Sequence, residues 1–462
     1  MGTFSVVRMS QLEGALRLDA EYYKLEYLSL LNHLKKVGCV PVKNIAFPIK
    51  RKFRPQKGEY FDYIEISEVD LTTGEFNTSK IIGEEAPDRA QWVVNKDDIL
   101  VSMVRPIRNA VIIIRERKEN LVCSSGFAIL HSQDIQANYL FLYFKMPFIA
   151  RLLDRHTTAT EYPAVSWNDV LNIPIYSGSE EFQIGISSMV DKSFTLLKQS
   201  RSFYSQAENL LLEELGLKDF KPKNEKTYTA NLSDAFSVHR IDAEYFQPAF
   251  KEVEEYIIKN YSAKPIKKLN FVEVTTGQYS EKYVDKSEGM PYIRGTDLKN
   301  GTINTDNLVY ISPEDQIESK KAKEGDVVVT RVGTIGLAAR IPKECEGGTI
   351  SDNLIRLRFD QQKLNSYYLA LFLGSPLGVN LMIKNSRGSV QQRLNQETLK
   401  EVIVPLLPLS TQKEIASLVQ QSHEARRKAK ELLEAAKRAV EIAIEQSEEN
   451  AMSFLKFFER VF

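Results

Sequence analysis

At 462 residues, with 43% hydrophobic and 26% charged residues, the chain exceeds one ordinary domain and can bury more than one core. Lys and Arg (61) balance Asp and Glu (61), so no whole-molecule field draws it to nucleic acid or membrane, and any such contact must come from local patches. Three widely spaced cysteines, Cys39, Cys123 and Cys345, form no C-x-x-C pair, which argues against a disulfide framework or a zinc site and for a reducing compartment.

The opening stretch from Met1 to Gln11 has no apolar signal core. The most apolar stretch, Asn138 to Leu153, carries Lys145, Pro147 and Arg151 and is too short to span a bilayer, so a cytoplasmic protein is expected. A helix is expected from Asp19 to Lys36, where leucines recur at helical spacing. Between Glu26 and Glu59 no acid occurs, and Lys50, Arg51, Lys52 and Arg54 cluster there as candidate phosphate contacts or, equally, a solubilising surface run. Short β-branched runs come next at Ile99–Val104 and Val111–Ile114, with Arg105 and Arg108 at the turn between them. These two arginines are candidate phosphate contacts or, equally, members of structural ion pairs. A helical stretch is expected at Tyr139–Asp154.

A long helix without internal Pro, and with its one glycine (Gly185) near its start, is expected from about Glu181 to Leu215, striped by Val190, Phe194, Leu197, Tyr204, Ala207, Leu211 and Leu215, with Gly216 placed as a C-terminal cap. The pattern then begins again: a helix at Asp242–Lys259, strands at Val327–Val332 and Leu354–Phe359, and a helical stretch at Ser366–Lys384. A second acid-free stretch lies between Asp360 and Glu397. A second long helix opens near Ser410, with the stripe Leu418, Ser422, Ala425, Ala429, Leu432, Ala436, Ala439 and Ala443. Its alanines suit a closely approaching partner helix. The apolar end, Phe454 to Phe462, is expected to pack rather than trail.

The recurrence is a duplication. Arg17-Leu18-Asp19-Ala20-Glu21-Tyr22-Tyr23 returns as Arg240-Ile241-Asp242-Ala243-Glu244-Tyr245-Phe246. Ile66 to Gly74 is answered by Ile293 to Gly301, Asp97 to Ser102 by Gly325 to Thr330, and Asn172 to Ile175 by Ile403 to Leu406. One short match is common by chance, but four in the same order at nearly constant spacing are not. The expected architecture is α+β: two pseudo-symmetric globular domains joined by two long antiparallel helices. Its segments are 1–180, a first long helix 181–217, a linker 218–228, a second domain 229–409, a second long helix 410–449 and the apolar end 450–462.

Three stretches make the chain similar to the specificity subunit of type I restriction–modification systems. Gly388-Ser389-Val390-Gln391-Gln392-Arg393-Leu394-Asn395 resembles that family's Gly-Ser/Thr-x-Gln-x-x-Leu turn. Val402 to Ala416 resembles its Pro-rich strand running into the long helix, and Gly325 to Gly336 its glycine-containing strand and turn. The first copy departs from the pattern, with Tyr162-Pro163-Ala164-Val165-Ser166-Trp167 in place of the Gly-Ser-x-Gln turn and Arg105-Pro106-Ile107-Arg108 in place of Gly333-Thr334-Ile335-Gly336.

The resemblance implies two target-recognition domains, each reading half of a split site in double-stranded DNA. It implies two modification subunits docked on the helices and supplying S-adenosylmethionine and methyl transfer, and motor restriction subunits able to join; this chain itself would hold no cofactor. A helix of this length is about 50 Å long, against about 34–36 Å for one turn of B-DNA. Domains at its ends could therefore reach sites about a turn apart. In the second copy, Arg331, Arg387, Ser389, Gln391, Gln392 and Arg393 are the candidate base or phosphate contacts, since Arg can fork to guanine and Gln to adenine. Tyr22, Tyr23, Tyr245 and Phe246 are expected to pack instead.

No catalytic site assembles from the sequence. The Gly333 turn lacks the Gly-Lys-Ser/Thr of a phosphate loop, no Asn-Pro-Pro-Tyr or Asp-Pro-Pro-Tyr stretch occurs, and the five histidines show no metal-ligand spacing. The chain is expected not to be an enzyme. The alternatives are a structural adaptor of a related phage-defence assembly that reads DNA weakly and, more remotely, a free-standing nuclease.

Overall fold

A computed structural model describes residues 6–9, 12, 17, 19–157, 162–218, 220, 225, 227–269, 271–299, 301–388 and 393–461. The chain forms two compact units, Met1–Leu197 with Arg426–Phe462, and Lys198–Ala425. Each long helix therefore contributes part of its length to each unit.

In the first unit a four-stranded antiparallel sheet runs in the order Ala46–Pro48, Phe127–Ser132, Asp98–Ser102, Val111–Ile113. Alternation along the strands supplies two cores. Ile99, Val101, Val111, Ala128 and Leu130 enter a large core shared with helices, whereas Leu100, Ile112, Phe127 and Ile129 face a second core with Ile64, Leu121 and Cys123. A strand buried on both sides must be apolar throughout, which is why Ile99 to Val101 is continuous rather than alternating. A second sheet has the order Ser79–Ile82, Tyr60–Ile64, Leu121–Ser124, Ala90–Val93, with Tyr60–Ile64 parallel to Leu121–Ser124.

The second unit repeats the plan. Its six-stranded sheet is centred on Leu354–Phe359, Val327–Thr330 and Ala338–Arg340. Val327, Val329, Ile355 and Leu357 again face a helix-covered core, while Val328, Ala339, Ile350 and Leu354 face a smaller one. This doubled packing is the tertiary form of the duplication.

Prolines reset several expected helices. The stretch at Tyr139–Asp154 is two helices, Ala137–Phe144 and Pro147–Asp154, and that at Ser366–Lys384 is also two, Ser366–Gly374 and Pro376–Asn385, meeting at 71°. Proline lacks the donor that would continue the preceding helix but suits the first position of the next. Pro248 likewise opens the helix Pro248–Asn260, so the expected start at Asp242 is replaced by a turn over 243–246. The opening helix is Leu25–Lys36, preceded by the 3₁₀ turn Ala20–Tyr23, because Lys24 is extended at ψ 139°.

The long helices are Glu180–Glu214 and Leu409–Glu445. In the first unit they run antiparallel: Glu448, just past the second, accepts from Ser179 N (3.0 Å), while Ser193 Oγ donates to Ala429 O (2.8 Å). Ala429, Ala436 and Ala439 are fully buried between them, so the alanine stripe permits close approach. Within the second unit, Ser422 Oγ donates to Ser200 O at 2.7 Å. A closing helix, Glu448–Val461, buries Ala451 and Leu455 in the first unit's core. Among the described residues no single helix is long and apolar enough to cross a membrane.

Candidate nucleic-acid interface

A buried carboxylate stands at the start of each central strand, Asp98 as its first residue and Asp326 just before Val327. Asp98 accepts from Asn95 N (2.7 Å) and from Arg51 Nη1 (2.6 Å), with His131 Nδ1 at 3.1 Å. Asp326 accepts from Lys323 N (2.8 Å) and from Arg358 through both Nε (2.9 Å) and Nη2 (2.7 Å). A buried carboxylate needs such partners. Arg51, a candidate phosphate contact by sequence, thus has its guanidinium engaged with Asp98, while Lys50, Lys52 and Arg54 remain exposed.

In the first unit the turn after Asp98–Ser102 has left-handed residues at both ends, Arg105 at φ 47° and Asn109 at φ 58°. Such conformations cost free energy unless the surroundings hold them. Here Arg105 N donates to Pro163 O (2.7 Å) and Asn109 Nδ2 to Lys145 O (2.9 Å), while Lys145 Nζ donates to Asn109 O (3.3 Å) and to Leu71 O. The turn presents Ile107 and Arg108 to solvent. The segment Tyr162–Trp167 gathers other cations: Arg105 Cζ lies 5.6 Å from the Tyr162 ring centroid and Lys50 Nζ 5.2 Å from that of Trp167. Lys145 itself is fully buried, and its pKa is pushed down to about 7 by burial and by Lys437, against the pull of Asp70 and Glu434.

In the second unit the corresponding turn uses glycine. Gly333 and Gly336 have φ of 79° and 94°, and a Cβ on Gly336 would lie 2.8 Å from Val379. Thr330 Oγ1 closes the turn by donating to Thr334 O (2.6 Å) and accepting from Leu337 N (3.0 Å). Arg331 O accepts from Leu394 N (2.9 Å), and Arg331 Nη1 donates to Asp352 O (3.3 Å). Arg387 and Arg393 exchange both backbone hydrogen bonds, at 3.0 and 2.7 Å, and both side chains are exposed. Like charges on directly opposed residues repel, a cost that a phosphate between them would relieve. Ser389, Gln391 and Gln392 lie outside the described residues.

The two loops hold matching places. Each leads into a five-residue helix, Trp167–Leu171 or Gln396–Lys400, whose capping box is closed by Ser166 or Asn395. Each also bonds the turn at the end of a central strand, at Arg105 or at Arg331. The structure therefore joins Arg331, Arg387 and Arg393 in one unit, and Arg105, Arg108 and, through Tyr162–Trp167, Lys50 in the other. Sequence reasoning missed Lys145 as part of this arrangement. Its signal, a lysine at the end of an apolar helical run, was legible but read only against a membrane span. The three cysteines are free, and burial pushes each thiol pKa upward, so none is a reactive thiolate.

Residues 267–435 match the family described as the type I restriction modification DNA specificity domain. The type I restriction enzyme EcoBI specificity subunit of Escherichia coli is 29% identical over 139 residues, 30% of this chain. The match spans only 29% of that relative's length. Among solved structures, the HsdS subunit from Thermoanaerobacter tengcongensis is similar over 88% of this chain and 96% of that one, at 20% identity and a TM-score of 0.33. The type I restriction–modification S subunit from M. genitalium is similar over 88% and 94%, at 11% identity and a TM-score of 0.40.

Proposed function

We propose that this chain, whose residues 267–435 match the type I restriction modification DNA specificity domain, belongs to that family, reads a bipartite sequence in double-stranded DNA and scaffolds the enzyme subunits that act there. The observation that carries this reading is the doubled strand, turn and capped loop, present once in each unit with exposed cations. In this reading the first unit reads one half-site through Arg105, Arg108 and Lys50. The second reads the other through Arg331, Arg387, Arg393 and the intervening Ser389, Gln391 and Gln392. Guanidinium groups fork to guanine or neutralise phosphates, and amides pair with adenine. Methyl transfer belongs to two modification subunits that bind S-adenosylmethionine, and cleavage to motor restriction subunits that join them. The cytoplasm is where such a complex meets its DNA.

The test expresses the chain with its modification partner and sequences the methylated genome. The expected result is one bipartite motif, of which exchanging residues 229–409 for a relative's domain changes one half and leaves the other. The purified chain alone should transfer no methyl group. Absence of any sequence preference, in cells and in filter binding at rising salt, would instead support the adaptor.

A further inference from the structure

The repeated Arg-x-Asp-Ala-Glu-Tyr-aromatic motif is absorbed by none of the contacts above, yet the structure gives it one geometry twice. In the first unit Arg17 forks onto its neighbour, Nε to Asp19 Oδ1 (2.8 Å) and Nη2 to Asp19 Oδ2 (2.6 Å). Its remaining donors reach His156 O (3.0 Å) and Thr157 O (3.1 Å), just past the helix Pro147–Asp154. Its Cζ lies 4.5 Å from the Tyr22 ring centroid, and Tyr22 meets Tyr23 edge-on at 4.9 Å and 76°. In the second unit Arg240 forks onto Asp242, with Nε at 2.8 Å from Oδ1, and donates to Lys384 O (3.2 Å) and Ser386 O (2.8 Å) at the end of Pro376–Asn385. Its Cζ lies 4.5 Å from the Tyr245 ring, which meets Phe246 at 5.0 Å and 78°.

The last carbonyls of a helix have no partner within it, and a cation there also meets the negative end of the helix dipole. Lys384 O is such a carbonyl, whereas His156, Thr157 and Ser386 O lie just past their helices; a planar guanidinium already locked by a carboxylate and a ring can hold two of these neighbouring carbonyls without reorganising. Each clasp lies shortly before the candidate recognition segment of its unit in the chain. Ser386 precedes Arg387, whose backbone pairs with Arg393, and Leu394 in turn binds Arg331. Thr157 lies shortly before Tyr162 and Pro163, which binds Arg105.

We propose that Arg17 and Arg240, with Asp19 and Asp242, are positioning residues that set the departure angle of the recognition loop in their own unit, and so control the specificity of one half-site each. This rests on the DNA-reading function proposed above. The experiment makes Arg17→Ala, Arg240→Ala and the milder Arg240→Lys and Asp242→Asn in the full chain, with two readouts. Hydrogen exchange of the chain without DNA should quicken across residues 384–395 in the Arg240 and Asp242 variants and leave residues 156–167 unchanged, with Arg17→Ala giving the mirror result. In the complex with its modification partner, discrimination at the second half-site should fall by about tenfold or more in Arg240→Ala, the scale of one lost base contact, with the first half-site intact. Unchanged exchange in both loops, or exchange that quickens through the whole unit even in Arg240→Lys and Asp242→Asn, overturns the proposal whatever the DNA result. Retention of both half-sites by every variant, beside a wild type that reads a bipartite motif, also overturns it. A wild type that reads no motif refutes the functional reading alone, and the exchange result then decides the clasp.

Discussion

Replacing Lys145 by methionine is expected to flatten the alkaline side of the first unit's stability profile. The ammonium is fully buried and bonded to two carbonyls, Leu71 O and Asn109 O, and its pKa falls from 10.5 to about 7. Between those values the unfolded chain holds a proton that the folded chain has released, so stability rises with pH by about 1.4 kcal/mol per unit. Below the folded value both states carry the proton and the burial penalty is fully present. Over the whole interval the effect is on the order of 3–5 kcal/mol. Methionine does not titrate, so the variant lacks this slope. It also leaves the two carbonyls without that donor, at about 1–3 kcal/mol, which lowers stability equally at every pH. The chain's two tryptophans, Trp92 and Trp167, both lie in the first unit with ring centroids 6.1 Å apart. Urea unfolding monitored by their fluorescence, from about pH 7.5 to 9.5, therefore reports that unit alone; the difference between the two proteins should grow by about 1.4 kcal/mol per pH unit. Parallel profiles would show that Lys145 is not held neutral in the fold and would refute the reasoning.

Arg426 on the second long helix bonds Asp70 and Glu75 at 2.7 Å each, and those side chains are only 10% and 11% exposed. Arg426→Ala should destabilise the first unit by about 3–5 kcal/mol, because it strands buried carboxylates; the same fluorescence titration measures it. Ala436→Leu should cost about 1–3 kcal/mol by overpacking the close helix contact, and a melting temperature equal to wild type would count against that contact. Arg393→Ala should lose about 1–3 kcal/mol of discrimination at one base pair. Lys52→Ala should instead weaken all sequences alike and reduce the salt slope, a difference that filter binding across salt concentrations resolves.

The fold was legible where periodicity and local chemistry agree. Leu354–Phe359 stands at its expected bounds, and the long helix expected at Glu181–Leu215 spans Glu180–Glu214, with Gly216 in the left-handed conformation its capping role requires. Helix breaks at Pro147, Pro248 and Pro376 were written in the sequence but outweighed by the apolar runs around them. Tyr22 and Tyr23 pack inward as expected, at 4% and 6% exposed.

The candidate interface was less legible, because a basic residue looks alike whether it faces solvent or a buried acid. Arg51 is the clearest case. Its partner Asp98 is distant in sequence, and only the sheet that places Asp98 opposite His131 reveals that the carboxylate is buried and needs Arg51. In the second copy the same need is met by Arg358, on the strand that pairs with Val327–Thr330, so the repeat itself gave no warning.

By itself the sequence determined that the chain is duplicated, that each copy is α+β, and that each ends in a long helix striped for close packing, because repeats and periods of two and of 3.6 residues carry that information. Only the tertiary structure decided that each long helix is shared between the units, that Arg426 closes the loop at Asp70, and that Arg17 and Arg240 clasp the ends of later helices. Such contacts join residues far apart in the chain. Their energy depends on burial and on angles between donor and acceptor, quantities that exist only once the backbone has brought the partners together.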